Sequence, residues 1–321
     1  MARVLFAVFF LAGAMLLGVD LAASQTYPAR QVHMIVTFPP GGNADTIARL
    51  VADKLSQQLR QSVIVENKPG AASIVGTAAV AQAPADGHTL LQAGTNISTN
   101  PALGHKTSYD AERDLAPVAL LVTVPAVVVV HPSLPVSNLS ELVALSHKQP
   151  LNFAVTAIGS APHLAGVAVE RATKAKWTYV PYKGGAQAIG DTIGGQTQVL
   201  MNGMLATLPH VQSGKLKVIG VSKSTRVPLL ANVPTIAEQG VKGFESGTWQ
   251  GLVVPANTPP AIVQRLNEVV TRIIRSPEVR ERLVSQGAEV YTMTPAEFTS
   301  FFERERKHWA KVVAEGGVRL D

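Results

Sequence analysis

From residue 32 onward, short runs of β-branched and other apolar residues alternate with segments whose apolar positions recur every three or four residues. Runs of strand length bounded by turn residues, alternating with helical periodicity, are the pattern of βαβ units, so the fold class is α/β with mostly parallel sheets flanked by helices. Residues 32–38 read as a first strand that stops at Pro39-Pro40-Gly41-Gly42, after which Ile47, Leu50, Val51, Leu55 and Leu59 share one helical face. The plan repeats, with a strand over residues 62–66, a turn over 69–72, a helix over 74–81 and a third strand over 89–92. That strand enters a polar stretch, residues 95–100, which reads as a loop.

Residues 116–130 are continuously apolar apart from Pro117 near the start, Thr123 and Pro125. The run is too short to span a membrane, and a proline at its middle predicts two strands joined by a bend. A first crossover between two lobes is expected there. A second series of βα units covers residues 151–155, 177–180, 197–201 and 216–221, and residues 250–254 form one more strand at the second crossover. The expected division is a first lobe over 25–125, a second over 126–249, and a return of 250–321 to the first. The tail is helical. Thr258-Pro259 and Thr294-Pro295 place an N-cap before a first-turn proline, and Thr294 with Glu297 makes a capping box. The charge cluster at residues 303–307 reads as a solvated helix face.

The amino end has a different character. Arg3 precedes an apolar run over residues 4–19, and Ala22-Ala23-Ser24 offers small residues to a signal peptidase. The run is shorter than the roughly 20 residues of a membrane span. Residues 1–24 are therefore expected to be a cleaved secretory signal, with no cysteine after it to take a lipid anchor, which places the mature protein in the periplasm.

Length and composition sharpen this picture. A chain of 321 residues accommodates about two domains at roughly 100–200 residues each. Charged residues make up 16% of it and apolar residues 46%, well below and within the usual range respectively, so packed globular structure is expected. The net charge is +6, but the basic residues are scattered among acidic ones, a pattern that suits a protein handling anions better than a nucleic-acid stripe. There is no cysteine, which removes disulfides, thiol nucleophiles and cysteine-ligated metals.

Enzyme signatures are absent: there is no GxSxG, HExxH, GxxxxGK[ST] or strand-linked GxGxxG. The nearest approach to a nucleophile and base is Ser160 with His163, a spacing that at a helix start also describes a serine N-cap and a first-turn polar residue. No histidines pair at metal-binding helical spacing. What remains is a set of Gly-, Ser-, Thr- and Asn-rich loops at the carboxyl ends of the expected strands, where open α/β sheets bind ligands. Residues 38–45, 70–73, 95–100, 157–160 and 182–185 are such loops. Several lead into helices, whose first N–H groups favour anions.

These loops also have a family likeness. Tyr27-Pro28, FPPGGNAD (38–45), VIVENKPGAA (63–72), ADGHTLL (85–91), GSAPHLAG (159–166), VPYKGG (180–185), GKLKVIGV (214–221), VPTIAEQG (233–240) and Trp249-Gln250-Gly251 follow one another. In that order they resemble the Bug-type extracytoplasmic solute receptors of tripartite tricarboxylate transporters. The resemblance implies a two-lobed, hinged periplasmic binding protein without cofactor or metal. It would capture a small organic anion, a carboxylate, and deliver it as a monomer to integral-membrane transporter subunits. By motif, the first-lobe contacts would be Gly41, Gly42, Asn43, Ala44, Ala72, Ser73, Thr95, Asn96 and Ser98. The second-lobe contacts would be Thr156, Ala157, Gly159, Ser160, His163 and Tyr182, with Asn202 beside them.

Two positions depart from the family pattern. Ala157 stands where many members have glycine, which leaves the backbone less free to approach a ligand. Asn202 stands where many members have Asp, so a ligand ammonium would lose a partner. The expected ligand is thus a dicarboxylate, tricarboxylate or aromatic acid without a free amino group. Two other functions remain open on the sequence: a ligand-presenting sensor component, and a hydrolase using Ser160 and His163.

Overall fold

The computed structural model describes residues 27–316. The expected signal segment, residues 1–24, lies outside the described residues. The first lobe opens with β1 (Val32–Val36), α1 (Asn43–Leu59), β2 (Val63–Asn67), α2 (Ile74–Ala81), β3 (Thr89–Gly94), α3 (Asn96–Ala102) and α4 (Ala111–Asp114). The long strand β4 (Leu115–Val130) then leads to α5 (Leu139–Ser146), β5 (Asn152–Val155), α6 (Ala161–Thr173), β6 (Thr178–Pro181) and α7 (Gly185–Ile193). Next come β7 (Val199–Gly203), α8 (Met204–Gln212) and β8 (Lys217–Val221). The chain returns through β9 (Gly247–Pro255), α9 (Pro260–Arg275), α10 (Pro277–Val284), β10 (Glu289–Val290) and α11 (Pro295–Gly316).

The strands run in the order β2-β1-β3-β9-β4-β7-β5-β6, with β8 and β10 also paired to β4. Pairing is parallel at both outer ends, β2-β1-β3 and β7-β5-β6, and antiparallel wherever β4 or β9 takes part. Within these ends β1, β3, β5 and β7 are almost wholly buried, whereas the edge strands β2 and β6 stay partly exposed. In α1 the stripe Ile47, Leu50, Val51, Leu55 and Leu59 is buried as its periodicity requires.

β4 corrects the expectation of two strands and a bend. It is one continuous strand of 16 residues whose partners change along its length. Up to Pro125, opposite Gly247, it pairs with β9; from Ala126, opposite Gly203, it pairs with β7, and over Val127–Val130 also with β8. Both of its prolines sit where the ladder is already interrupted. Pro117 borders a register shift against β9, and Pro125 is the last residue facing β9. A proline is tolerated in a strand where no ladder donor is required.

Residues 95–100 also differ from expectation. They form most of α3, with Asn96, Ile97, Ser98, Thr99 and Asn100 all buried. Their polarity reads as loop, yet it serves an internal network: Asn96 and Asn100 both donate side-chain N–H groups to the carbonyl of Ala72, at 3.3 and 2.9 Å. The capping box at the start of α11 is present, with Glu297 accepting from the Thr294 N–H and Thr294 Oγ1 accepting from the Glu297 N–H. The 303–307 cluster is only partly a solvated face. Arg306 pairs with Glu112 on α4, and Glu305 turns inward to accept from Trp309 Nε1 at 3.1 Å.

Candidate functional site

Each element that reaches the cleft between the lobes is held by a specific contact. The turn before α1 requires Gly41 at φ +85°, a conformation that suits glycine. Asp45 locks that turn by accepting from the Gly41 N–H (2.9 Å), Arg49 Nε (3.0 Å) and Asn67 Nδ2 (2.9 Å). Burial opposes its charge, but these donors hold the carboxyl below the usual Asp range. Gly42 is the N-cap of α1 and offers no side-chain cap, so the first N–H groups of the helix stay available to the cleft.

The adjoining loop is strained. Ala71, Ala72 and Ser73 have φ values of 44°, 52° and 81°, and non-glycine residues in this region cost about 1–3 kcal/mol each. The two donors that converge on the Ala72 carbonyl keep the loop in place. At the floor of the cleft, Thr95 Oγ1 accepts the N–H of Trp249 (3.1 Å), and Gln250 Oε1 accepts from Gln92 Nε2 (3.0 Å). Gly94 makes room for that pair, since a Cβ there would lie 3.3 Å from the Gln250 amide.

The second lobe contributes hydroxyls and one more uncapped helix. Ser160 Oγ accepts the N–H of His163 (3.4 Å) and lies 3.4 Å from Thr156 Oγ1. His163 Nδ1 accepts the N–H of Gly159 (3.0 Å), fixing the turn in which Gly159 has φ +75°. Burial lowers the His163 pKa, and its ring packs edge-on to Tyr179. The Ser160 hydroxyl and the His163 ring are thus both engaged by backbone, which gives the pair a cap's geometry instead of a nucleophile's. α7 starts at Gly185 with no side-chain cap, beside the Asn202 side chain, whose Nδ2 donates to Thr207 Oγ1 (3.1 Å).

The lobes meet closely. Asn43 Oδ1 accepts the N–H of Ala206 at 2.8 Å, and a Cβ on Gly184 would lie 3.0 Å from Pro39 Cδ. Between them is a cavity of about 60 Å³. Of the residues singled out from sequence, Gly42, Asn43, Ala44, Thr95 and Asn96 line it from one side, and Thr156, Ser160 and Asn202 from the other. Ala72, Ser73, Ala157 and Tyr182 line a wider opening of about 650 Å³ that shares Phe38 with the cavity. Burial and neighbouring Asp191 push the Tyr182 hydroxyl up to about 12, so it stays protonated. Gly41, Gly159 and His163 shape the loops from behind, and Ser98 faces a separate groove beside Pro101 and Phe302.

Sequence reasoning missed Phe38, Gly94, Pro162, Gly185, Thr248 and Gln250, which also line the cavity. Phe38 and Gly185 sit inside recognisable motifs. Gly94 and Thr248 come from strands and have no local signal, while Gln250, also on a strand, lies within the Trp249-Gln250-Gly251 motif. No charged side chain lines the cavity. Its polar groups are amides, hydroxyls and the uncapped N-termini of α1 and α7, which together can hold an anion without a counter-charged residue.

The model of the tripartite tricarboxylate transporter family receptor matches residues 47–318. The chain belongs to this receptor family. The family consists of substrate-binding receptors, and the protein is no enzyme. Among its relatives, the protein BugT of Bordetella pertussis is 36% identical over 93% of this chain and 93% of its own. Two similar solved structures are those of Rpa4515 of R. palustris with adipate and of MatC from Rhodopseudomonas palustris with bound malate. The first has a TM-score of 0.88 at 33% identity, covering 91% of this chain and 99% of its own. The second has a TM-score of 0.84 at 33% identity, covering 89% and 100%. Both agree with the two-lobed α/β architecture. Among the described residues no helix is long and apolar enough to cross a membrane.

Proposed function

We propose that this protein is a periplasmic receptor that closes on a small carboxylate and delivers it, as a monomer, to the membrane subunits of a tripartite tricarboxylate transporter. The observation that supports this best is an interlobe cavity lined only by uncharged residues, among them amides, hydroxyls and two uncapped helix starts. Such a surface stabilises a carboxylate through N–H groups and dipoles. The adipate and malate found in two similar receptors are of the same chemical class.

In this reading one carboxylate occupies the cavity, in contact with Asn43, Thr95, Thr156 and Ser160. The rest of the ligand extends past Phe38 toward Ala72, Ser73 and Tyr182. The lobes would divide at residues 125/126 and 246/247, where β4 changes partners and β9 begins. Closure would bend the chain at these two points.

The ligand is an acid without a free amino group. Asn202 is neutral, and no carboxylate lines the cavity to receive an ammonium. Thermal denaturation of ligand-stripped protein with adipate, malate, benzoate, aspartate and glutamate tests both levels. At about 100 times Kd a ligand adds roughly 2.7 kcal/mol, a shift of several degrees. A response to amine-free acids is expected. Stabilisation by aspartate or glutamate alone would overturn the ligand class, and no response to any carboxylate would overturn the receptor reading.

A further inference from the structure

A second cavity, of about 350 Å³, lies behind the strands that link the lobes, within the size range of small-molecule sites. Thr123, Val124 and Pro125 of β4 and the segment from Glu245 to Trp249 form one wall. β10 and α11 form the other, through Glu289, Tyr291, Phe301, Glu305, His308 and Trp309. Thr248 lines both this cavity and the cleft, so the two spaces flank the same strand.

The lining charges are unbalanced. Lys223 is the one lysine or arginine along the walls, and it is already paired with Glu245 (3.0 Å) and Glu289 (3.3 Å). Burial opposes its charge, but those two carboxylates hold its pKa above the ordinary lysine value. Glu305 is different. Its carboxyl accepts from Trp309 Nε1, and among the described residues it has no ion-pair partner. Burial raises its pKa, partly offset by the Trp309 N–H and by the charges of His308 and Arg304 nearby. Trp249 Nε1, on a side chain only 2% exposed, faces this carboxyl without reaching hydrogen-bond geometry. The hydroxyls of Ser246 and Thr248 are also buried without a partner.

A desolvated carboxylate without a counter-ion is unfavourable. Here it adjoins a space large enough for a ligand, with aromatic rings on the walls. An anion entering the cavity would find no unpaired lysine or arginine, whereas a cation would find Glu305 and ring faces able to attract it. We infer that this cavity is a second ligand site, for a small organic ammonium whose charged head meets Glu305 and whose apolar body lies against Tyr291 and Trp309.

The test is isothermal titration of the full mature protein with benzylammonium chloride, with benzyl alcohol as the uncharged control. Saturable one-to-one binding is expected, at least about tenfold weaker for benzyl alcohol, since charge-assisted contacts are the stronger ones. Glu305→Gln keeps an acceptor for Trp309 and should weaken benzylammonium binding about tenfold, as should Tyr291→Ala at a half-exposed position. Neither should change the response to cleft carboxylates such as adipate. Absence of saturable binding, equal affinity for the alcohol, or binding lost on Asn43→Ala but kept in Glu305→Gln would overturn the inference.

Discussion

Asn43 Oδ1 accepts a hydrogen bond from the backbone N–H of Ala206 at 2.8 Å, joining the start of α1 to α8 across the cleft. The bond exists only while the lobes are together, so its contribution belongs to the closed state. Asn43→Ala should remove about 0.5–1.5 kcal/mol of that state's stability, weakening carboxylate affinity roughly two- to tenfold. Calorimetric titration with the best carboxylate measures it, and small-angle scattering should show incomplete compaction on ligand addition.

Gly203 is pressed by the same side chain, because a Cβ there would overlap the Asn43 amide. Gly203→Ala should therefore hold the lobes apart more effectively than Asn43→Ala does. Affinity should fall by about fivefold to a hundredfold, since overpacking costs about 1–3 kcal/mol. The double variant Asn43→Ala with Gly203→Ala should recover part of the loss, because the obstructing amide is gone.

His163 gives the protein a predictable acid sensitivity. The unfolded residue titrates near 6.5, while burial lowers its pKa in the folded state. The unfolded chain then binds more protons between those values, so this contribution to stability is fully present above about pH 6.5 and is lost as pH falls below it. Protonation would also cost the bond from the Gly159 N–H to Nδ1. Urea unfolding at pH 7.5 and 5.5 should show a smaller pH dependence for His163→Gln than for the parent protein.

Asp45 acts in the same direction, in a more acidic range. Its folded pKa lies below 3.8, so it adds stability above that value and loses it as pH falls through the folded pKa. Asp45→Asn should cost about 1–3 kcal/mol at pH 7 by weakening three donors' bonds, and the difference should shrink at pH 3. Urea midpoints at the two pH values provide the comparison.

The parts legible in the sequence are those specified by neighbours along the chain. The Gly-rich turn before α1, the helix at Ile74–Ala81 and the Thr294–Glu297 box follow from local periodicity and capping chemistry. α3 was illegible because its asparagines are buried by a partner, the Ala72 carbonyl, that comes from another loop. The continuous course of β4 was hidden because Pro125 reads as a break, while the change of strand partners that accommodates it is a tertiary event. The same division runs through the site. Gly42, Asn43 and Ala44 announce themselves as a turn entering a helix, but Gln250 reaches the cavity floor only because β9 pairs between β3 and β4.

That pairing also orders events during synthesis. β9 fills the gap between β3 and β4, yet it is made only after all of β5, β6, β7 and β8. The second lobe can assemble on the far end of β4 as soon as β8 has emerged, because its partners are then present. The first lobe must wait with two strand edges open, a long loop closure that slows folding and leaves edges available for wrong pairing. A chain interrupted before Gly247 would hence leave a folded second lobe attached to an unfinished first one, a species prone to aggregate instead of a half-active receptor.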